Sequence, residues 1–296
     1  MKNILEKLFS TQAVFSQYAP AVDQNKSLRD LVPAANYARK RVESIISCSV
    51  FDAILDNGSE SLLFYLRQAI ANCTCAAQLN FDAISRRKAE VNVYKYEIEA
   101  MERAYRENYY DAMDSLLQYL LTQITEEDDD SEILTLFKKS TYYGQLCVLP
   151  IQTCSEWDSL YPIDQSHLFF FRLIPLQRET LAERLQPYFD NKSIGENASL
   201  MASLKLALVK KTTSKALRRF DVMELPAVMR NLNSDQVTNG TRKDERESLT
   251  SLAVTLENEA EDLISQVDLV LTSESQIDIS SRSAYNRPDD KIIMLP

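Results

Sequence analysis

Only 4 of the 296 residues are glycine, where a usual share of about 7% would give roughly 20. That shortage excludes Gly-rich phosphate cradles, dinucleotide fingerprints and nucleophile elbows, which need glycine where backbone meets a ligand or turns sharply. It also argues against a meander of tight hairpins, so the 45% of apolar residues must be organised mostly by helices. Histidine occurs once, at His167, and none of the five cysteines (Cys48, Cys73, Cys75, Cys147, Cys154) forms a C-x-x-C pair. No metal or cofactor is therefore expected, and the cysteines read as free thiols of a reducing compartment. Long apolar runs are missing too: no segment approaches the roughly 18 residues of a membrane span. Glu6 and Lys7 interrupt the stretch that an export signal would need. The expectation is a soluble, unexported chain with no membrane partner.

Positive charge is the scarcer sign. With 33 Lys+Arg against 43 Asp+Glu the formal net charge is −10, which argues against a chain-wide phosphate-binding surface and leaves local basic patches open.

What is present is an order of elements that occurs twice. Leu5, Leu8, Phe9 and Phe15 precede Gln17, and Ile133, Leu136, Phe137 and Tyr143 precede Gln145 with the same spacing. Next, Leu31, Val32 and Pro33 lead into one helical pattern and Leu173, Ile174 and Pro175 into another, with proline acceptable in a first helical turn. Gly58 and Gly195 then each precede a helix, in which Leu62, Leu66, Ala69 and Leu79 align with Leu200, Leu204, Ala207 and Leu217. The last element carries a long amphipathic stripe: Ile98, Met101, Tyr105, Tyr109, Ala112 and Leu116 recur at the intervals of Leu249, Leu252, Leu256, Ala260, Leu263 and Val267. Proline and glycine landmarks in one order favour a tandem duplication over chance likeness of amphipathic helices.

The fold expected is mainly α: two repeats of a helical, connector-like unit, with small β hairpins possible at 80–93 and 220–240 and a C-terminal tail. The first repeat spans 1–123 and the second 133–271, joined by an acidic linker at 124–132 whose six acids repel one another and stay solvated rather than fixing a metal. An insertion at 147–167, with the only Trp (Trp157), reads as an ordered loop, and 272–296 as a polar tether ending in an apolar tip, Ile292, Ile293, Met294 and Leu295.

Candidates for chemistry are few. A serine or cysteine hydrolase needs a base, and His167 sits beside an apolar run that favours a structural role. Cys73 and Cys75 fall on roughly opposite faces of a helix and do not share a metal, and Cys73 fits the apolar stripe. No pair among the 43 acids is singled out by an apolar setting. The chain reads as non-enzymatic. Its basic clusters, Arg39–Arg41, Arg86, Arg87 and Lys88, and Lys210, Lys211, Arg218 and Arg219, read either as solvated helix faces and loop tips or, for 86–88, as a tip aimed at an anionic partner.

The order within residues 5–81, through LRDLVPAANYARKRVESII and LLFYLRQAIANCTCAAQL, resembles the helical head–tail connector (adaptor) proteins of tailed phages. A resemblance over most of the chain, through LLFYLRQAIANCTCAAQLN, YKYEIEAMERAYRENYYDAMDSLLQYL and LTLFKKSTYYGQL, is to an uncharacterised family encoded in Bacteroidetes phages and prophages, often near structural genes. The 147–167 insertion and the cysteines have no counterpart in the connector pattern. The resemblance implies a virion protein made in the host bacterial cytoplasm and placed in the neck. It implies a homo-oligomeric ring, a dodecamer in connector families, that binds portal protein above and tail-side neck proteins below. DNA would pass through the lumen without sequence-specific binding, which an acidic chain suits. The tip at Ile292–Leu295 reads as a strand that adds to a neighbour's sheet edge, or as a frayed tail. Alternatives are a helical scaffolding or regulatory binding module outside a virion, and another neck or tail-terminator ring protein.

Overall fold

The computed structural model describes residues 3–20, 27–88, 94–125, 131–230 and 242–282. Among these every regular element is helical, and the chain is mainly α. The first half opens with two short helices, α1 (Ile4–Leu8) and α2 (Gln12–Tyr18), each started by a side-chain cap, Asn3 in a capping box and Thr11 on the Val14 amide. A 3-10 turn at Leu28–Leu31 leads into α3 (Val32–Ile46), with Pro33 in its first turn, followed by α4 (Cys48–Asn57). Two long helices, α5 (Glu60–Lys88) and α6 (Lys95–Thr125), then pack antiparallel, tied by Ser59–Tyr119 (3.4 Å) at one level and Asn72–Asn108 (3.3 Å) at another.

The second half begins with α7 (Glu132–Lys138) and α8 (Thr141–Leu146), capped by Ser131 and Ser140. Its Phe137–Tyr143 ring contact at 5.6 Å stands where Phe9–Phe15, at 5.0 Å, stands in the first half. After α9 (Cys154–Leu160) comes α10 (His167–Thr180), which runs into a π-helical turn at Leu181–Leu185, then α11 (Gln186–Phe189) and α12 (Lys192–Gly195). The long α13 (Ala198–Arg219) is followed by a 3-10 turn at Val222–Glu224, by α14 (Ala227–Arg230), and by α15 (Arg242–Arg282), which packs antiparallel on α13.

The two halves share one core. Buried residues form a continuous cluster from Ile4 to Val267, with α10 against α6 and α7 against α4. In each half the middle helix is enclosed on all sides over at least a turn, at 71–75 in α5 and at 211–217 in α13. Enclosure buries Cys75 as well as Cys73, although the two point to different faces.

Four sequence expectations change. Residues 80–88 are not a hairpin but the last turns of α5, stitched by Gln78 to Asp82 at 2.9 Å. This end has no helical stripe because it extends past its neighbours and leaves Phe81 and Ile84 in solvent. Residues 220–230 are short helical turns, 89–93 and 231–240 lie outside the described residues, and no strand occurs among the described ones. Pro175 is not in a first turn: α10 starts eight residues earlier, at His167, so the helix accommodates an interior proline. The 147–167 loop contains a capped helix whose Trp157 is wholly buried against Phe170 at 6.0 Å, and Asp158 accepts the Ile163 amide at 2.7 Å. The tail does not begin at 272, because α15 continues to Arg282.

The two aligned glycines differ physically. A Cβ on Gly58 would run into the backbone oxygen of Ile54, whereas one on Gly195, at the end of α12, would meet nothing within 4 Å. Gly58→Ala is expected to cost about 1–3 kcal/mol through backbone displacement, and Gly195→Ala to be neutral or to stabilise by about 0.5–1 kcal/mol. Urea unfolding midpoints of the two variants check this.

Candidate functional site

Of the residues assigned to partner binding from sequence, Arg86, Arg87 and Lys88 lie in the last turn of α5, and Ile292, Ile293, Met294 and Leu295 lie outside the described residues. No sheet edge occurs among the described residues to receive a docking strand. The other basic clusters are not simply solvated faces. Arg39 binds Glu43 (2.6 Å) and Asp52 (3.1 Å), Arg41 reaches Glu224, and Lys211 is buried beside Glu257 and Glu261.

A half-open groove of about 660 Å³ lies where α3, α5 and α6 meet. Buried Cys73 and Tyr109 form its floor with Ala76 and Ala77, and Tyr37 and Phe81, 49% and 65% exposed, stand at its mouth. Arg41, Arg106, Tyr110, Gln78, Glu102 and Asp30 supply polar groups. Short side chains on α5 make the space: a thiol and two methyl groups do not reach the opposite helices.

Arg41 joins this groove to the second half. Its guanidinium donates to the Tyr37 hydroxyl (3.2 Å) and to Glu224 (3.2 Å), and Arg172 of α10 meets the other Glu224 oxygen at 2.7 Å while lying 4.5 Å from the Phe220 ring centre. One carboxylate thus serves two guanidiniums. Burial pushes the Glu224 carboxyl up, and its ion pairs with Arg172 and Arg41 more than reverse this, holding it below the ordinary carboxylate range. On the other wall Glu102 accepts from Arg106 Nε (3.0 Å) and Nη2 (2.8 Å). Burial pushes the Cys73 thiol up to about 11 against the pull of Arg41 and Arg106, so it stays protonated at neutral pH. Tyr109 is likewise raised by burial.

A second polar corner lies where α6 meets α10. Asp114 accepts from Ser166 Oγ (3.1 Å) and from the Leu168 amide (2.6 Å), so a carboxyl of the first half caps a helix of the second. Burial pushes it up to about 6, against those hydrogen bonds. The Ser166 hydroxyl is engaged by Asp114, and burial lowers His167, whose Nδ1 is buried with no hydrogen-bond partner among the described residues. Cys154 is pushed up to about 12 by burial and then by Asp114 and Asp158. This arrangement holds a helix end; it does not set a base against a nucleophile. Among the described residues no group of three or more His, Cys, Asp or Glu is placed to hold a metal ion, and no helix is long and apolar enough to cross a membrane.

Sequence reasoning missed the groove. Arg41 was visible only as one charge of a run, and Glu224 lies in a stretch without periodicity, so nothing in the chain order signalled that they meet. Comparison with protein-family models, with curated proteins and with solved structures gives no match to this chain.

Glu224→Ala, which strands two half-buried guanidiniums, is expected to lower stability by about 2–4 kcal/mol in urea unfolding. The Asp114 effect has the opposite pH sign from an ordinary ion pair. Its folded-state pKa, about 6, lies above the ordinary value of 3.8 that it has in the unfolded chain, so its favourable contribution is full below pH 4 and is lost as pH rises through 6. Asp114→Asn keeps a carbonyl acceptor for the Leu168 amide and cannot ionise. Relative to the parent it should gain about 2–3 kcal/mol between pH 4 and pH 7, which paired unfolding curves at the two pH values measure.

Proposed function

We propose that the protein is a non-catalytic assembly subunit, a head–tail connector (adaptor) that forms a ring below the portal around the DNA channel of a virion. The observation that carries an assembly role is the exposure of large apolar side chains where α5 ends and α6 begins. Phe81, Ile84, Tyr94 and Tyr96 are 52–67% exposed there, with the two tyrosine rings stacked at 5.6 Å. Large apolar side chains gathered at the end of a projecting hairpin mark a contact surface rather than a solvated tip. The backbone of Arg86–Lys88 occupies the same end, which suits an acidic neighbouring subunit in a chain of net charge −10. The connector identity itself rests on the resemblance of residues 5–81 and of the longer segments. The partners are then further copies of the chain, portal protein and tail-side neck proteins, with DNA passing through the lumen unbound. The recurring order of short pair, proline-bearing helix and two long helices supports our reading of the chain as a tandem duplication.

A helical binding module outside a virion is the second reading, and the groove beside Arg41 is the feature that favours it.

Mixed with a tailed-phage portal protein, the full chain should give rings in electron microscopy. Phe81→Ser combined with Tyr96→Ser should leave the chain as a monomer of unchanged helicity. Truncation after Asn286 should likewise preserve the fold and abolish assembly. A parent chain that remains a monomer of fixed mass, indifferent to portal protein, overturns the connector reading, and normal rings from the truncated chain overturn the role of the tail.

A further inference from the structure

The groove on α3, α5 and α6 has a counterpart in the second half, and the two are filled differently. The register that aligns Leu62 with Leu200 places Cys73, Ala76 and Ala77 at the positions of Lys211, Ser214 and Lys215. The proline register pairs Tyr37 and Arg41 with Glu179 and Glu183, and the stripe register pairs Arg106 and Tyr110 with Glu257 and Glu261. In the second half the place is plugged. Lys211 bonds Glu261 and lies 3.4 Å from Glu257, Lys215 bonds Glu179 (3.0 Å) and Glu183 (2.6 Å), and Ser214 donates to the Ala253 carbonyl at 2.8 Å. Two ammonium groups on the middle helix thus fill a cleft walled by four carboxylates.

In the first half both features are inverted. The middle helix offers a thiol and two methyl groups, which leaves about 660 Å³ open, and the four wall positions carry two guanidiniums and two phenols. A cleft walled by carboxylates takes a cationic plug; one walled by arginine and tyrosine takes an anionic one.

We propose that this groove binds a small organic anion with an apolar or aromatic body, its charged end between Arg41 and Arg106 and its body over Cys73, Ala76 and Ala77. Donors are left for it. Glu224 is divided between Arg41 and Arg172, so that triad keeps one positive charge. Glu102 engages Arg106 through Nε and Nη2 on a single oxygen and Tyr110 also bonds the guanidinium, which takes up three of its five N–H groups. Glu102 and Asp30 are the opposing charges of the lining, and they favour a single anionic group at the arginine end over a multiply charged one. Tyr37 and Phe81 at the mouth present exposed aromatic faces to the body of the ligand. A mainly apolar cleft of this size with a few converging polar groups is the usual form of a small-molecule site. The inference does not depend on the assembly reading, since the groove opens within one subunit.

The test uses two fluorescent probes of similar aromatic body on the full chain: anilinonaphthalene sulfonate, which is anionic, and phenylnaphthylamine, which is neutral. The sulfonate should bind at one site per chain, about tenfold more tightly than the neutral probe. Arg106→Gln should weaken the sulfonate by about tenfold and the neutral probe by less than about twofold, and Arg106→Lys should recover most of the loss. Ala77→Phe should abolish binding of both probes, with circular dichroism and the melting temperature verifying the fold. Ala76→Leu is the milder filling change should Ala77→Phe unfold the chain. Equal affinity for the two probes in the parent, or sulfonate binding that survives filling of the groove in a folded variant, overturns the proposal.

Discussion

Each half is built around a helix that solvent cannot reach over at least a full turn, and that enclosure constrains what the chain can place there. A helix wrapped on all sides must carry small or uncharged residues, or carry charged ones whose partners come from the wrapping helices, because an unpaired buried charge costs several kcal/mol or more. The α5 helix takes the first course with Ala71, Cys73 and Cys75, and its Asn72 reaches the Tyr18 carbonyl at 2.9 Å. The α13 helix takes the second, and Lys211 and Lys215 are tolerated because α10, its π turn and α15 surround them with carboxylates. Arg219 adds paired bonds of 2.6 and 2.7 Å to Glu179, and the carboxyl of Glu179 is driven down to about 2 by Arg219 and Lys215. The cavity in one half and the ion network in the other are two outcomes of the same packing demand.

The joint between the halves follows a similar logic with fewer groups. Glu224 lies between a guanidinium of α3 and one of α10, and Asp114 of α6 caps the start of α10. Both carboxyls are largely withdrawn from water, yet they titrate in opposite directions. Two cations hold Glu224 ionised, while the hydroxyl and amide that bond Asp114 do not offset its desolvation, to which the Asp111 charge adds. Position in the fold, rather than residue type, sets the sign.

Much of the architecture was legible in the residues. Stripes such as Tyr105, Tyr109, Ala112 and Leu116 are buried faces of long helices, as their spacing implies, and the apolar patterns at Phe9–Phe15 and Phe137–Tyr143 each bring a pair of rings together. Failures came where local pattern and surroundings disagree. Phe81 and Ile84 belong to a helix that outruns its neighbours, so no apolar period marks it as helical. Pro175 looks like a helix start and lies inside one, because the apolar run from Leu168 to Phe171 extends α10 backward to a Ser166 cap. Of the groove, Pro33, Arg41, Cys73 and Tyr109 were visible in the sequence, and none as part of a cleft.

Sequence alone determined that this chain is helical, what faces its long helices bury, and that four glycines leave no room for phosphate loops or tight hairpins. Those properties follow from period and composition, which are local. Only the tertiary structure decided that Arg41 and Arg172 share Glu224, that Lys211 is interior, and that a cleft stands open beside Cys73. These depend on side chains far apart in sequence, and on whether a residue on one helix is long enough to reach the next.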